Sequence, residues 1–152
     1  MRHQAKSPDR EAEMELGRWA VRTVKKTGGV VEQPAGSHLW AEMNLPVPNE
    51  RSADGCFTLY VEQSWFGYGS KKATWLLVCG VPISSIPEVP FRLVKPSPPN
   101  SPGLSSFGRS RSVRPFAEWL CQIARLANPP GLSANAGAVP KHPDYANAVA
   151  VT

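Results

Sequence analysis

Glu32 and Gln33 close a short apolar run, Gly28-Gly29-Val30-Val31, and Pro34 follows at once, before a Gly36-Ser37 turn. A carboxylate in such a place can serve as hydrogen-bond acceptor or as acid with only a modest pKa shift. The neighbouring carboxamide adds hydrogen-bonding capacity. Buried strands that deliver polar side chains at their carboxyl end have this pattern, and α/β folds keep ligand sites there. Pro34 fixes φ and lacks an N–H, so the strand must stop. The plainer reading is a carboxylate that forms an ion pair or a cap at a strand end.

A second constellation lies in the connection Gln63–Thr74. Lys71 and Lys72 can hold phosphates as point charges. Trp65, Phe66 and Tyr68, set among glycines and lysines, offer stacking surfaces for unpaired bases. The alternative is a hairpin whose aromatics pack on a sheet and whose lysines are solvated. Gly67-x-Gly69 is too short for a phosphate loop and marks a turn. Arg109, Arg111 and Arg114 form a spaced basic run, for phosphate or for a solvated loop. Ser37 and His38 are adjacent, and adjacent residues rarely aim at each other as a nucleophilic pair must. Ser37 is better placed as the N-cap of a short helix carrying Leu39 and Trp40.

Three stretches occur in colinear order over roughly residues 2–127: Gly28–Trp40, then Gln63-Ser64-Trp65-Phe66-Gly67 with Lys71-Lys72-Ala73-Thr74-Trp75-Leu76, then Phe116-Ala117-Glu118-Trp119-Leu120. This series resembles small phage and prophage proteins related to the cytosine-5 DNA methyltransferases, with their GGVLEHPA-S-LW, Q-W-G-…-K-TWL and FA-WL stretches. The resemblance implies that Glu32 binds the Watson–Crick edge of a flipped cytosine, sharing a proton with N3 and accepting from the exocyclic amine. Gln33 stands where the family commonly has Asn or His, and Gln63 with Lys71 and Lys72 resembles its Gln-x-Arg-x-Arg segment. The thiolate nucleophile on a Pro-Cys loop and the glycine-rich strand-turn for S-adenosylmethionine have no counterpart in these residues. The expectation is therefore a partial methyltransferase-like chain that starts downstream of its nucleophile. It should be inactive alone and bind S-adenosylmethionine only if an N-terminal part supplied the site. The other expectation is a non-enzymatic, nucleic-acid-associated protein of a mobile element.

The bulk properties set bounds. The 152 residues suffice for one modest domain, and 41% hydrophobic content suits a globular core. A formal charge of +5 favours a polyanionic partner such as DNA. Cys56, Cys79 and Cys121 are odd in number and lack CxxC spacing, which argues against a disulfide scaffold and against a metal site, and fits a reducing cytoplasm. No apolar run approaches the ~18–20 residues needed to cross a bilayer. The N-terminus has no apolar stretch of the signal-peptide kind.

The elements follow from periodicity and punctuation. A helix capped by Ser7 or Asp9 runs to about Lys26, acidic at its start and basic at its end. Its expected core stripe is Ala12, Leu16, Trp19, Ala20, Thr23 and Val24. Gly28-Gly29 stops it and the strand Val30–Glu32 begins, an αβ unit that favours a parallel sheet. Residues 43–55 form a polar loop. Phe57–Val61 and Thr74–Val81 are strands, the second apolar throughout. Residues 82–114 are Pro/Ser-rich, expected as a flap or binding loop. A helix from Pro115 to Ala127 buries Phe116, Leu120, Ile123, Ala124 and Ala127. The fold expected is an incomplete Rossmann-like, methyltransferase-like α/β sheet over 1–127, with a flexible tail over 128–152.

Overall fold

The computed structural model describes residues 8–92, 112–129 and 149–151. Helix α1 spans Pro8–Thr27, with Pro8 at its first position, Asp9 and Glu11 in the first turn and Lys25 and Lys26 in the last. Ser7, one of the two expected caps, lies outside the described residues. Strand β1 (Gly29–Pro34) follows after one residue, and the short helix α2 (His38–Glu42) after the next turn. Strand β2 (Phe57–Glu62) runs straight into a 3₁₀ turn at Gln63–Phe66, and β3 (Ala73–Cys79) returns beside it. Helix α3 covers Arg114–Arg125 and strand β4 Val149–Val151.

These strands form one mixed sheet of order β2-β3-β1-β4. β1 pairs parallel with β4, and β3 pairs antiparallel with both β1 and β2. β1, β2 and β4 therefore all point one way, and β3 alone is reversed between β1 and β2. The parallel sheet expected from the αβ unit is present only at the β1–β4 pair. A tight connection from β2 through Gln63–Lys72 cannot place the next strand parallel, because a parallel neighbour needs a crossover of a dozen or more residues. Part of the segment expected as a flexible tail is also built into the fold, since Val149–Val151 adds to β1 at Val30–Glu32.

Helices cover both faces. On one, Ala20, Val21 and Val24 of α1 pack with Leu39 and Trp40 of α2 against Val31, Leu77 and Cys79. On the other, Phe116, Trp119, Leu120, Ile123 and Ala124 of α3 pack against Val30, Phe57, Leu76 and Val78. The expected α3 stripe is buried as read from its period. The α1 stripe is buried only in part: Ala20 and Val24 are, Thr23 is half-buried, Leu16 and Trp19 are about half exposed, and Ala12 is exposed. The buried stripe is Gly17, Ala20, Val21 and Val24, because Gly17 lets Leu39 of α2 pack directly on the helix backbone. Two stripes of helical period coexist on α1, and neighbouring structure selects between them.

Two chain segments, one expected as a flap or binding loop and one as the start of a flexible tail, are tied down. In the Pro-rich run, Ile86 and Val89 pack on the α3-side core, and Pro87 O accepts from Trp119 Nε1 at 2.9 Å. Asn128 N donates to Gly80 O at 2.9 Å. Its own carbonyl lies where a Cβ on Gly80 or Gly28 would stand, 1.9 and 2.6 Å away, and both glycines have positive φ. Only glycine admits that approach in that conformation.

The cysteine reading is corrected. Cys56 and Cys79 are joined as a disulfide with Cα atoms 4.4 Å apart, and Cys121 is free. Phe57 pairs with Val78, so the preceding and following residues face each other across β2 and β3. Their separation is close to the ~4.5 Å of a directly opposed, non-hydrogen-bonded pair. Spacing along the chain does not reveal a pair that strand register makes. A disulfide belongs to oxidising surroundings, so cysteine usage no longer speaks for a reducing compartment. Among the described residues no helix is long and apolar enough to cross a membrane.

Candidate nucleic-acid site at the carboxyl edge of the sheet

Glu32 is 4% exposed and lies on the α3-side face of β1, the face it shares with Val30. It stands opposite Leu76 on β3 and Val151 on β4. Pro34 pairs with Thr74, which puts Thr74 at the same rim. Because β1 and β2 run in one direction, the end of β2 arrives there too, and the 3₁₀ turn that follows it presents Gln63. Gln63 Nε2 donates to Glu32 Oε1 at 3.4 Å and to Thr74 Oγ1 at 3.1 Å. Thr74 Oγ1 in turn donates to Lys72 O at 3.3 Å. Gln63 Oε1 is buried with no hydrogen-bond partner among the described residues.

The electrostatics follow from this enclosure. Burial raises the Glu32 carboxyl above the usual glutamate range, and the charge of Lys72 opposes the rise without cancelling it. The Lys72 ammonium also sits 5.6 Å from the centre of the buried Tyr68 ring. Glu32 is thus a carboxyl able to carry a proton at higher pH than a solvated one. It lies beside an amide and a hydroxyl, at the edge where open α/β sheets bind ligands.

Gln33 does not join this group. Alternation along β1 turns it to the α1 side, where its Oε1 accepts from Ser37 Oγ at 3.3 Å. There it lines a separate cleft of about 550 Å³ with Met14, Gly17, His38 and Leu39. Two residues adjacent on a strand cannot both face one ligand lodged against one side of the sheet. Ser37 is the N-cap expected, accepting from Leu39 N at 3.3 Å, and its hydroxyl points to Gln33 rather than into a Ser–His pair.

The basic and aromatic candidates divide. Lys71 is exposed and Lys72 half-buried. Phe66 is a core residue, 5.1 Å from Phe116 and 5.2 Å from Trp119 between ring centres. Trp65 is half-buried at the edge of β2, against Tyr60 and Phe91. Arg114 is exposed at the start of α3 and paired with Glu118 at 2.7 Å. Arg109 and Arg111 lie outside the described residues. In the sequence Gln63 stands out only as part of a motif, with no link to Glu32. Thr74 at a strand start, after two lysines, was the available signal for the third member.

Gly28 and Gly29 end a helix and the Asn128 main chain fills the space over Gly28, so this glycine pair is no cofactor cradle. Cys56 and Cys79 are bonded to each other, and Cys121 lies on the outer side of α3 with Arg114, Glu118 and Arg125. Among the described residues this glycine pair gives S-adenosylmethionine no cradle, and no cysteine is placed as a nucleophile toward Glu32. Among the described residues no group of three or more His, Cys, Asp or Glu side chains could hold a metal ion. In comparisons with protein-family models, curated proteins and solved structures, nothing matches this chain.

Proposed function

We propose that this chain is related to the cytosine-5 DNA methyltransferases, of the phage and prophage type, and holds a cytosine of DNA at Glu32 without transferring a methyl group by itself. The observation that carries the reading is the buried Glu32–Gln63–Thr74 group at the carboxyl edge of co-directional strands. Three strands of one direction with a single reversed strand, covered by helices on both faces, are compatible with a partial doubly wound sheet.

Cytosine presents N3 as an acceptor and its exocyclic amine as a donor. A carboxyl held above its ordinary pKa gives a proton to N3 and accepts from the amine. Gln63 Oε1 is the acceptor available for the amine's second hydrogen. Glu32 is almost fully covered, so a base reaches it only with movement of its neighbours. The connection 67–72 between Phe66 and β3 has no helix or strand.

The test is binding of single-stranded oligonucleotides that differ only in a central cytosine or thymine, followed by fluorescence anisotropy from acid to neutral pH. The expected result is tighter binding of the cytosine strand, with the preference lost in Glu32→Ala. Glu32→Gln keeps the preference, because an amide can also donate to N3 and accept from the amine, but flattens its pH dependence. Equal binding of the two strands by the wild type would sink the proposal.

A second reading is a non-enzymatic nucleic-acid-associated protein that uses general contacts. The exposed Lys71 and the +5 charge favour it. The same titration separates the two, since binding without base preference supports only the second.

A further inference from the structure

Tyr60, Trp65 and Phe91 form a row of rings at the β2 edge of the sheet, on that strand and its flank. Trp65 lies between the others, 6.3 Å from Tyr60 and 5.9 Å from Phe91 between ring centres. Tyr60 is 45% exposed and Phe91 61%. Such exposure of large apolar rings in contact is unusual on a surface that only faces water. The backbone holds them there. Arg92 N donates to Trp65 O at 2.7 Å, which fastens the Phe91 segment to the 3₁₀ turn. Phe91 itself has φ +37°, a conformation a bulky side chain seldom adopts. Strain of this kind persists only where the surroundings fix it, and it concentrates at ligand sites.

The charges around the row are mixed toward positive. Arg92 is exposed next to Phe91, and the Gln63 N to Lys72 O bond of 3.1 Å brings the Lys71-Lys72 end of the connection to the same turn. The nearest carboxylate, Glu62, is already engaged. It accepts from Tyr60 Oη at 2.5 Å and from Lys72 N at 3.2 Å. Glu88, exposed two residues before Pro90, is the other anion of that segment.

We propose that Tyr60, Trp65 and Phe91 are a stacking platform for unpaired bases of a nucleic-acid strand, with Arg92 and Lys71 on its phosphates. The proposal rests on the nucleic-acid reading above and deepens it. Base–aromatic stacking accepts any base, needs an exposed ring face, and is closed to a base inside a duplex. The platform therefore selects single strands, whether DNA or RNA.

The experiment titrates the full chain with labelled oligothymidine, oligouridine and a short duplex at low salt. Phe91→Gly is the informative variant, since it removes the ring and relieves the positive φ, so the fold is kept. The expected result is about tenfold weaker binding of both single strands and less than twofold change for the duplex. Phe91→Trp restores single-strand binding. Weakening confined to oligothymidine or to oligouridine assigns the platform to that nucleic acid alone. Unchanged single-strand affinity in Phe91→Gly, equal loss on single strand and duplex, or no single-strand binding by the wild type would each overturn the proposal. The probes lack cytosine, so failure here leaves the Glu32 reading standing, and a missing cytosine preference leaves this one standing.

Discussion

Gln63 Nε2 reaches Glu32 Oε1 at 3.4 Å, joining residues 31 positions apart at the ends of two strands that never pair with each other. The contact exists because β3 is inserted between them and brings Thr74 as a shared neighbour, 3.1 Å from the same amide nitrogen. The carboxyl is buried with this amide, and Lys72 is the cation that acts on it.

Stability should fall as pH rises through the window that starts at the ordinary glutamate pKa and ends at the raised pKa of folded Glu32. In that window the folded chain binds the extra proton and the unfolded chain does not, so added base favours unfolding. Glu32→Gln removes the proton exchange and keeps an acceptor for Gln63. The variant should melt above the wild type at pH 8, and the gap should shrink as pH falls below the ordinary glutamate range. Thermal melts by circular dichroism across that range check it, and a gap that widens toward acid would contradict the argument.

Gln33→Ala should leave the cytosine preference within about twofold, while Gln63→Ala should reduce it about tenfold, the scale of one hydrogen bond to a buried charged or polar partner. The two residues lie on opposite faces at the same rim. Paired titrations with the cytosine and thymine strands decide the matter. Equal losses would mean that Glu32 and Gln33 act on one ligand after all.

Gly80→Ala should destabilise the fold without touching the site. The new Cβ would stand 1.9 Å from Asn128 O, at φ +71°. The backbone conformation alone costs about 1–3 kcal/mol for a non-glycine residue, and the displaced Asn128 carbonyl adds to it. Urea unfolding measures the loss. A midpoint equal to that of the wild type would show that the Asn128 segment does not hold this position.

Under denaturing, non-reducing conditions a thiol reagent should label Cys121 only, and reduction should expose the other two. The bridge closes a separation of 23 residues. Its loss in Cys56→Ala, Cys79→Ala should cost about 3 kcal/mol by the loop-entropy relation. Mass spectrometry of the labelled chain is sufficient, and three labels without reductant would contradict the pairing.

Lys71→Ala should lower the log–log salt slope of DNA binding by about 0.7–0.9, the share of one phosphate contact. Lys72→Ala should lower it less, because Lys72 already interacts with the Tyr68 ring and the Glu32 charge. A series of titrations at rising salt reads both slopes. A larger drop for Lys72 than for Lys71 would reverse their assigned roles.

Local rules settled much of this protein from its sequence. The glycine stop after α1, the proline that closes β1, the Ser37 cap and the α3 stripe of Phe116, Leu120, Ile123 and Ala124 all depend on neighbours within a few residues. The apolar run of β3 likewise marked a strand covered on both faces. Tertiary structure decided what depends on register and on distant partners. Strand alternation separated Gln33 from Glu32, and the reversal of β3 made the sheet mixed. Antiparallel register placed Cys56 against Cys79, and the approach of Leu39 chose which of two stripes on α1 was buried. Glu32 stood out in the sequence as a carboxylate at a strand end. Its raised pKa and its partner Gln63 came only from the sheet that encloses it, because desolvation and long-range hydrogen bonds have no signature in local spacing.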